Sequence, residues 1–284
     1  MFFLINKPKG ISSFDVIRSL RKKLNTKKMG HTGTLDPLAS GLLLIATDTS
    51  TKLIRALEGC DKTYIFTVRL DGTSETLDLG STVLSIDTSN YKHISQGTLI
   101  KKLESLTEQV PPKHSALHIN GARAYELARK GKDFDIPTRK IHVKDVKILD
   151  QKEFEITIQL RISSGGYIRS LAPEIGTFFG VNGGYITQLQ RTILHLPSGD
   201  LQLSESTSIE NMSKKDSISY NTLFSHFEHA HISPEQKQML LEGKDITLET
   251  EPKKQRGNIL LFCDAFVSWC TFEGKHCTIK RNYV

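Results

Sequence analysis

The segment Gly30-His31-Thr32-Gly33-Thr34-Leu35-Asp36-Pro37-Leu38-Ala39-Ser40-Gly41 runs straight into the apolar stretch Leu42-Leu43-Leu44-Ile45-Ala46. The length and branching of that stretch suit a buried strand, so the residues before it form a loop tied to the protein's core. Gly30, Gly33 and Gly41 permit backbone angles and close approaches that other residues resist. Pro37 fixes its own φ and biases Asp36 toward an extended backbone. A lone carboxylate held in such a loop is a candidate catalyst, although glycine, proline and aspartate also build ordinary turns.

At 284 residues the chain exceeds the usual single-domain size, which points to one large domain and a small one. Its 38% hydrophobic and 24% charged residues describe a soluble globular protein, and no apolar run is long enough to cross a membrane. The opening Met1-Phe2-Phe3-Leu4-Ile5-Asn6-Lys7-Pro8 lacks a basic leader and turns polar too early for a signal peptide, so a cytoplasmic location is expected. The net charge of +7 is unevenly spread. Arg18, Arg21, Lys22, Lys23, Lys27 and Lys28 fall within eleven residues without an acid, and residues 101–147 hold 11 Lys or Arg against 6 Asp or Glu. Positive charge clustered near a candidate active loop favours a polyanionic partner, and a merely solvated basic face is the alternative.

Periodicity gives an α+β chain. Phe2-Phe3-Leu4-Ile5 reads as a strand. Ser12 with Asp15 resembles a capping box opening a helix whose Val16, Ile17, Leu20 and Leu24 share one face. Strands are expected over residues 63–70 and 154–162, and helices through Leu99, Ile100, Leu103 and Leu106 and through Leu171, Ile175 and Phe178. The serine-rich stretch 204–219 reads as a boundary. Cys60, Cys263, Cys270 and Cys277 form no CxxC pair, and His226, His229 and His231 lack completing ligands. No metal site is expected, and a surface loop accounts for the histidines.

Taken in order, the motifs resemble the TruB family of tRNA pseudouridine synthases. The Gly30 to Gly41 segment is similar to the family's catalytic motif, Lys7-Pro8-Lys9-Gly10-Ile11-Ser12-Ser13 to its N-terminal motif and Lys62-Thr63-Tyr64 to its tyrosine-bearing strand. Gln109-Val110-Pro111-Pro112-Lys113-His114-Ser115-Ala116 resembles the start of the RNA-gripping insertion, continued by Arg123-Ala124-Tyr125-Glu126. Gly166-Tyr167-Ile168-Arg169 and Leu189-Gln190-Arg191 match the remaining blocks.

The resemblance implies a pseudouridine synthase catalytic fold, with a mixed, mainly antiparallel central sheet flanked by helices, over residues 1–210, and an RNA-gripping insertion at about 109–140. A linker over 211–232 and a reduced, β-rich PUA-like RNA-binding domain over 233–284 would follow. For that last unit Leu241-Glu242-Gly243-Lys244-Asp245-Ile246, Gly257-Asn258-Ile259-Leu260-Leu261-Phe262 and the basic Lys275, Lys280 and Arg281 are the signatures; an unrelated small β-domain is the alternative. The implied reaction is isomerisation of uridine at position 55, in the TΨC loop of tRNA, to pseudouridine by base flipping, without cofactor or metal. Asp36 would be the nucleophile, with Arg169 positioning it and Tyr64 stacking on the base. Tyr167 and Leu189 would line the pocket, and His31 would fill the space left by the flipped nucleotide. Lys9 and Arg123 would contact RNA. Nothing in the sequence points beyond a monomer.

Breaking an N-glycosidic bond and rejoining uracil through C5 needs a carboxylate and an aromatic-lined pocket that traps the free base. Attack on the ribose, attack on the base and a glycal-like route all use the same groups. Three features depart from the family's pattern. Gly166 stands where threonine is usual, Gln190 replaces an arginine, and Ser74-Glu75-Thr76-Leu77-Asp78 stands for Thr-Asp-Thr-x-Asp. Gly166 and Gln190 motivate one alternative, a non-enzymatic RNA-folding or binding protein on the same scaffold, and a guide-RNA-dependent, dyskerin-type synthase is the second. The insertion, an RNA grip of stand-alone enzymes, disfavours the second.

Overall fold

The computed structural model describes every residue except 116, 120, 132, 264, 265 and 284, and the side chains of the rest except those of residues 281 and 283. Ala116 of the insertion motif and the Arg281 side chain thus lie outside the description.

Strand β1 (Phe2–Lys7) leads into helix α1 (Ser13–Leu24), whose capping box forms as expected: the Ser12 and Asp15 backbone N–H groups donate to each other's side chains. β2 (Met29–His31) and β3 (Ser40–Thr47) enclose the glycine-bounded loop, and β4 (Asp61–Arg69) carries Tyr64. The sheet runs in the order Val143–Gln151, Glu155–Ile162, β4, Tyr185–Leu196, β3, β1, Ser217–Ile218, with β2 and Gly199–Gln202 attached to β3 and to Tyr185–Leu196. Its pairings are antiparallel except between Tyr185–Leu196 and β3, where Gln190 faces Ser40 and Arg191 faces Gly41. The sheet is therefore mixed and mainly antiparallel.

β3 is a continuous apolar run because both of its faces are covered. Leu43 and Ile45 pack with Val16, Ile17, Leu20 and Leu24 of α1, whereas Leu42, Leu44 and Ala46 belong to a cluster that includes Leu53, Leu57, Leu194 and Phe224 and extends to Leu260 and Val267 of the C-terminal sheet. Helices α2 (Gln96–Glu104) and α4 (Ile168–Phe178) cover a second core built on β4 and Glu155–Ile162. Helix α3 (Ala124–Arg129) lies in the insertion.

Residues 211–232, expected to be a linker, are built into both halves. Ser217–Ile218 pairs with β1, Leu223 and Phe224 are fully buried, and Glu228–His231 joins the C-terminal sheet in parallel with Arg256–Cys263. That five-stranded sheet is completed by Phe266–Glu273, His276–Tyr283 and Ile246–Thr247. His229 and His231 accordingly stand on an edge strand against Phe262 and not in a surface loop. Cys270 and Cys277 are buried in the apolar core beneath it.

Candidate active site

The loop between β2 and β3 is fastened along its length. Ser13, at the start of α1 and 2% exposed, donates its hydroxyl to the Leu35 carbonyl at 3.0 Å and accepts the Leu35 N–H at 2.8 Å. The Gly10 N–H donates to the Pro37 carbonyl at 2.7 Å. Lys7, wholly buried, reaches the carbonyls of Pro8 at 2.9 Å, Ile11 at 2.6 Å and Pro37 at 3.4 Å. From the other side Arg191, 1% exposed, donates to Leu42 O at 2.7 Å and Gly33 O at 3.1 Å. Gly41 sits at φ +101° with room for no side chain: a Cβ there would lie 2.2 Å from the Arg191 carbonyl oxygen.

Asp36 projects from this loop onto Arg169 of α4. Arg169 Nε lies 2.8 Å from Oδ2 and Nη2 lies 3.2 Å from Oδ1, a two-pronged pairing that fixes the carboxylate plane. The guanidinium is 5% exposed and spends its other donors on the carbonyls of Thr76 and His114, each at 2.9 Å. Asp78 stands behind it, Oδ2 3.9 Å from Nε, held in turn by the Thr76 hydroxyl and the Gly80 N–H. The Asp36 side chain keeps 35% of its surface open, so the pair is anchored at one end and accessible at the other.

The accessible end faces a cleft of about 270 Å³. The cleft is lined by the apolar and aromatic Tyr64, Tyr167 and Leu189, by the turn 163–166 and by the basic Lys62 and Arg191. Tyr167 caps α4 and is gripped by Gln109, whose amide bonds both the Tyr167 N–H at 2.8 Å and its carbonyl at 2.9 Å. Burial raises the Tyr167 phenol above its usual range. Burial also lowers the Lys62 ammonium, and lowers that of Lys7 to about 8, where the nearby Asp36 charge works in the opposite direction. The Ser115 hydroxyl, 4% exposed, lines the cleft beside the Tyr167 phenol without a hydrogen bond of normal geometry.

Asp36, Tyr64, Tyr167, Arg169 and Leu189 thus meet in one cleft. His31 stands apart. It lies on β2, its Nδ1 accepts the Gly33 N–H at 3.3 Å, and burial together with Arg191 lowers its basicity. Lys9 borders an adjacent depression with Leu189 and Gln190, and Arg123 is exposed on a hairpin of the insertion. Sequence reasoning assigned no role to Lys7, Ser13, Lys62, Gln109 or Arg191. All five bond backbone groups, which leave no mark on the residue types of their partners. At Gly166 a Cβ would lie 2.4 Å from Ile162 Cδ1, so this chain fills with Ile162 the room that a side chain at 166 would need.

A family model described as TruB family pseudouridylate synthase (N terminal domain) matches residues 21–168. The tRNA pseudouridine synthase B of Aquifex aeolicus is 35% identical over 253 residues, 87% of this chain and 86% of the relative. The protein of that name from Azoarcus sp. is 30% identical over 267 residues, 92% of this chain and 86% of the relative. Among solved structures, a chain of a Cbf5-Nop10-Gar1 complex covers 100% of this chain and 84% of its own length with a TM-score of 0.67, at 18% identity. A chain of the archaeal box H/ACA sRNP Nop10-Cbf5 complex gives a TM-score of 0.64 at 17% identity, over 100% of this chain and 86% of its own length. At such low identity these two likenesses show a common architecture.

Proposed function

This chain belongs to the TruB family of pseudouridylate synthases and is an isomerase of that class, and we propose from there that it acts on tRNA, converting the uridine at position 55 in the TΨC loop to pseudouridine. The observation that carries this reading is the Asp36–Arg169 pair, fixed at one end and open to an aromatic-lined cleft at the other. Asp36 is the nucleophile and Arg169 positions it. Tyr64 stacks on the extruded uracil, with Tyr167 and Leu189 closing the pocket around it.

In the reaction the bond from C1′ to N1 breaks, the trapped uracil turns, and a bond forms from C1′ to C5. The proton on C5 leaves and N1 gains one, so no redox partner or group donor is consumed. The base is received on aromatic surfaces that offset the few kcal/mol lost on unstacking it. Outside the cleft, Lys9 and the insertion residue Arg123 meet RNA phosphates, while His31 occupies the gap in the opened loop. The protein works as a cofactor-free monomer in the cytoplasm, with the C-terminal sheet as a second RNA contact. Among the described residues no helix is long and apolar enough to cross a membrane.

The test is to incubate unmodified tRNA transcript with wild type and with Asp36→Asn and to map pseudouridine by base. Wild type is expected to modify position 55, and the variant to lose about 10⁴-fold or more in rate while still binding tRNA. Binding without conversion by wild type would instead support an RNA-folding protein. Conversion of bare transcript excludes a guide-RNA requirement.

A further inference from the structure

Phe14 is the one exposed Phe, Tyr or Trp side chain among the described residues, at 55% exposure, and it packs in none of the apolar cores. It stands at the start of α1, on a face beside the buried stripe of Val16, Ile17, Leu20 and Leu24. Two guanidinium groups lie near its ring, Arg18 at 5.4 Å and Arg21 at 5.8 Å from the centroid. Arg21 retains a buried Nε with no acceptor among the described residues. Around them residues 14–28 carry six bases and one acid, Asp15, whose carboxylate is already engaged by the helix cap and by Arg18 at 2.8 Å.

A solvent-facing ring with two arginines near it contributes little to folding, because it removes little apolar surface from water. It is well suited to nucleotides: every base has a π-face that stacks on an aromatic ring or a guanidinium plane, and the following phosphate meets the surplus charge. The location fits a long substrate. Ser13, one residue before Phe14, makes both hydrogen bonds to Leu35, and Leu35 lines the cleft that holds Asp36.

We propose that Phe14, Arg18 and Arg21 form a stacking platform for an unpaired base of the RNA substrate, outside the catalytic cleft, with Lys22 meeting the adjoining phosphate. This rests on the reading of the cleft as an RNA-modifying site and assigns to the substrate a second point of contact. The platform holds RNA and takes no part in the bond changes at Asp36.

Binding is measured in the Asp36→Asn background, so that no turnover intrudes, with unmodified tRNA transcript in a filter assay. Phe14→Ala is expected to raise Kd about tenfold and Phe14→Trp to keep it near wild type, as stacking on a ring requires. With Asp36 intact, the single-turnover rate of Phe14→Ala at saturating protein should match wild type. Lys22→Ala should flatten the dependence of log Kd on log salt by about one phosphate contact. Trp269 is the sole tryptophan, so Phe14→Trp placed in Trp269→Phe makes residue 14 the only indole, and its fluorescence should quench on adding tRNA. An unchanged Kd in Phe14→Ala, an unmoved fluorescence, or a loss confined to the saturated rate would overturn the platform. Conversion by wild type alongside an unaffected Phe14→Ala leaves the enzymatic reading standing without it. Phe14-dependent binding with no conversion does the reverse, and absence of tRNA binding by wild type removes both.

Discussion

Residues 30–41 and residues 109–140 border the same cleft and are held in opposite ways. The first segment is bonded from β1, from α1 and from the strand Tyr185–Leu196, by groups that are themselves nearly all buried. Among the described residues the second is tied to the rest of the fold mainly at its start, where Gln109 grips Tyr167, the Ser170 hydroxyl donates to Val110 O, Arg169 donates to His114 O and the His114 ring meets Glu75, and at the short pairing of Glu108–Gln109 with Arg139–Lys140. Beyond those ties it is largely exposed. Chemistry that depends on a carboxylate at one position is served by the first construction, and a grip that must follow a polymer by the second. The two meet at Arg169, which bonds Asp36 on one side and the insertion on the other.

The strongest way to break that contrast is Arg169→Lys, which keeps the charge and loses the fork. One ammonium cannot bond both Asp36 oxygens and both carbonyls, so the carboxylate plane is freed and buried acceptors are stranded. A fall in kcat of about 10²-fold or more is expected, because misplacing a reacting group by an ångström costs that much. Stability should drop by about 1–3 kcal/mol, because the carbonyls of Thr76 and His114 lose a buried donor. Single-turnover kinetics and urea unfolding check both numbers. A variant within tenfold of wild type would mean that the loop's own fastenings suffice to aim Asp36.

How much of this was legible in the sequence depends on how far each interaction reaches along the chain. The Ser12–Asp15 box and the apolar β3 are local and were readable, as were Phe154 to Ile162 by its alternation and the buried face of α1. The partnership of Asp36 with Arg169 spans 133 positions, and only the resemblance of whole motifs joined them. Lys7 and Arg191 escaped notice because their partners are backbone carbonyls, which leave no mark on residue type. Serine-rich composition marks 204–219 as a boundary and places a linker over 211–232, yet the pairing of Ser217–Ile218 with β1 and the burial of Phe224 are set by the tertiary fold. For the same reason Glu228–His231 shows as a strand only once Arg256–Cys263 is beside it.

A smaller effect sharpens the rigid half of the comparison through pH. Lys7 titrates near 8 in the folded protein, against an ordinary lysine value of 10.5. Below about pH 8 both states hold the proton, and above about 10.5 neither does. Between them the unfolded chain binds a proton that the folded one has shed, so rising pH favours folding there. This group alone adds up to about 3 kcal/mol across the window. The slope in unfolding free energy should be absent in Lys7→Met, which is also less stable below pH 8 because the carbonyls of Pro8, Ile11 and Pro37 lose their donor. Equal slopes in both proteins would remove Lys7 from the account.

The smallest effect belongs to the open half, at Arg123 on the hairpin formed by His118–Ile119 and Ala122–Arg123. Its side chain is exposed, so replacing it with alanine should leave stability within about 0.5 kcal/mol of wild type. If the insertion grips RNA by charge, Arg123→Ala weakens binding a few-fold and lowers the slope of log Kd against log salt by about one. The saturated rate should be unchanged, because the hairpin lies beyond the ties at Gln109 and His114 through which the insertion touches Tyr167 and Arg169. A reduced saturated rate with normal binding would show instead that the hairpin acts on the cleft through those ties, and the contrast between a fixed loop and an independent grip would give way to a single coupled unit.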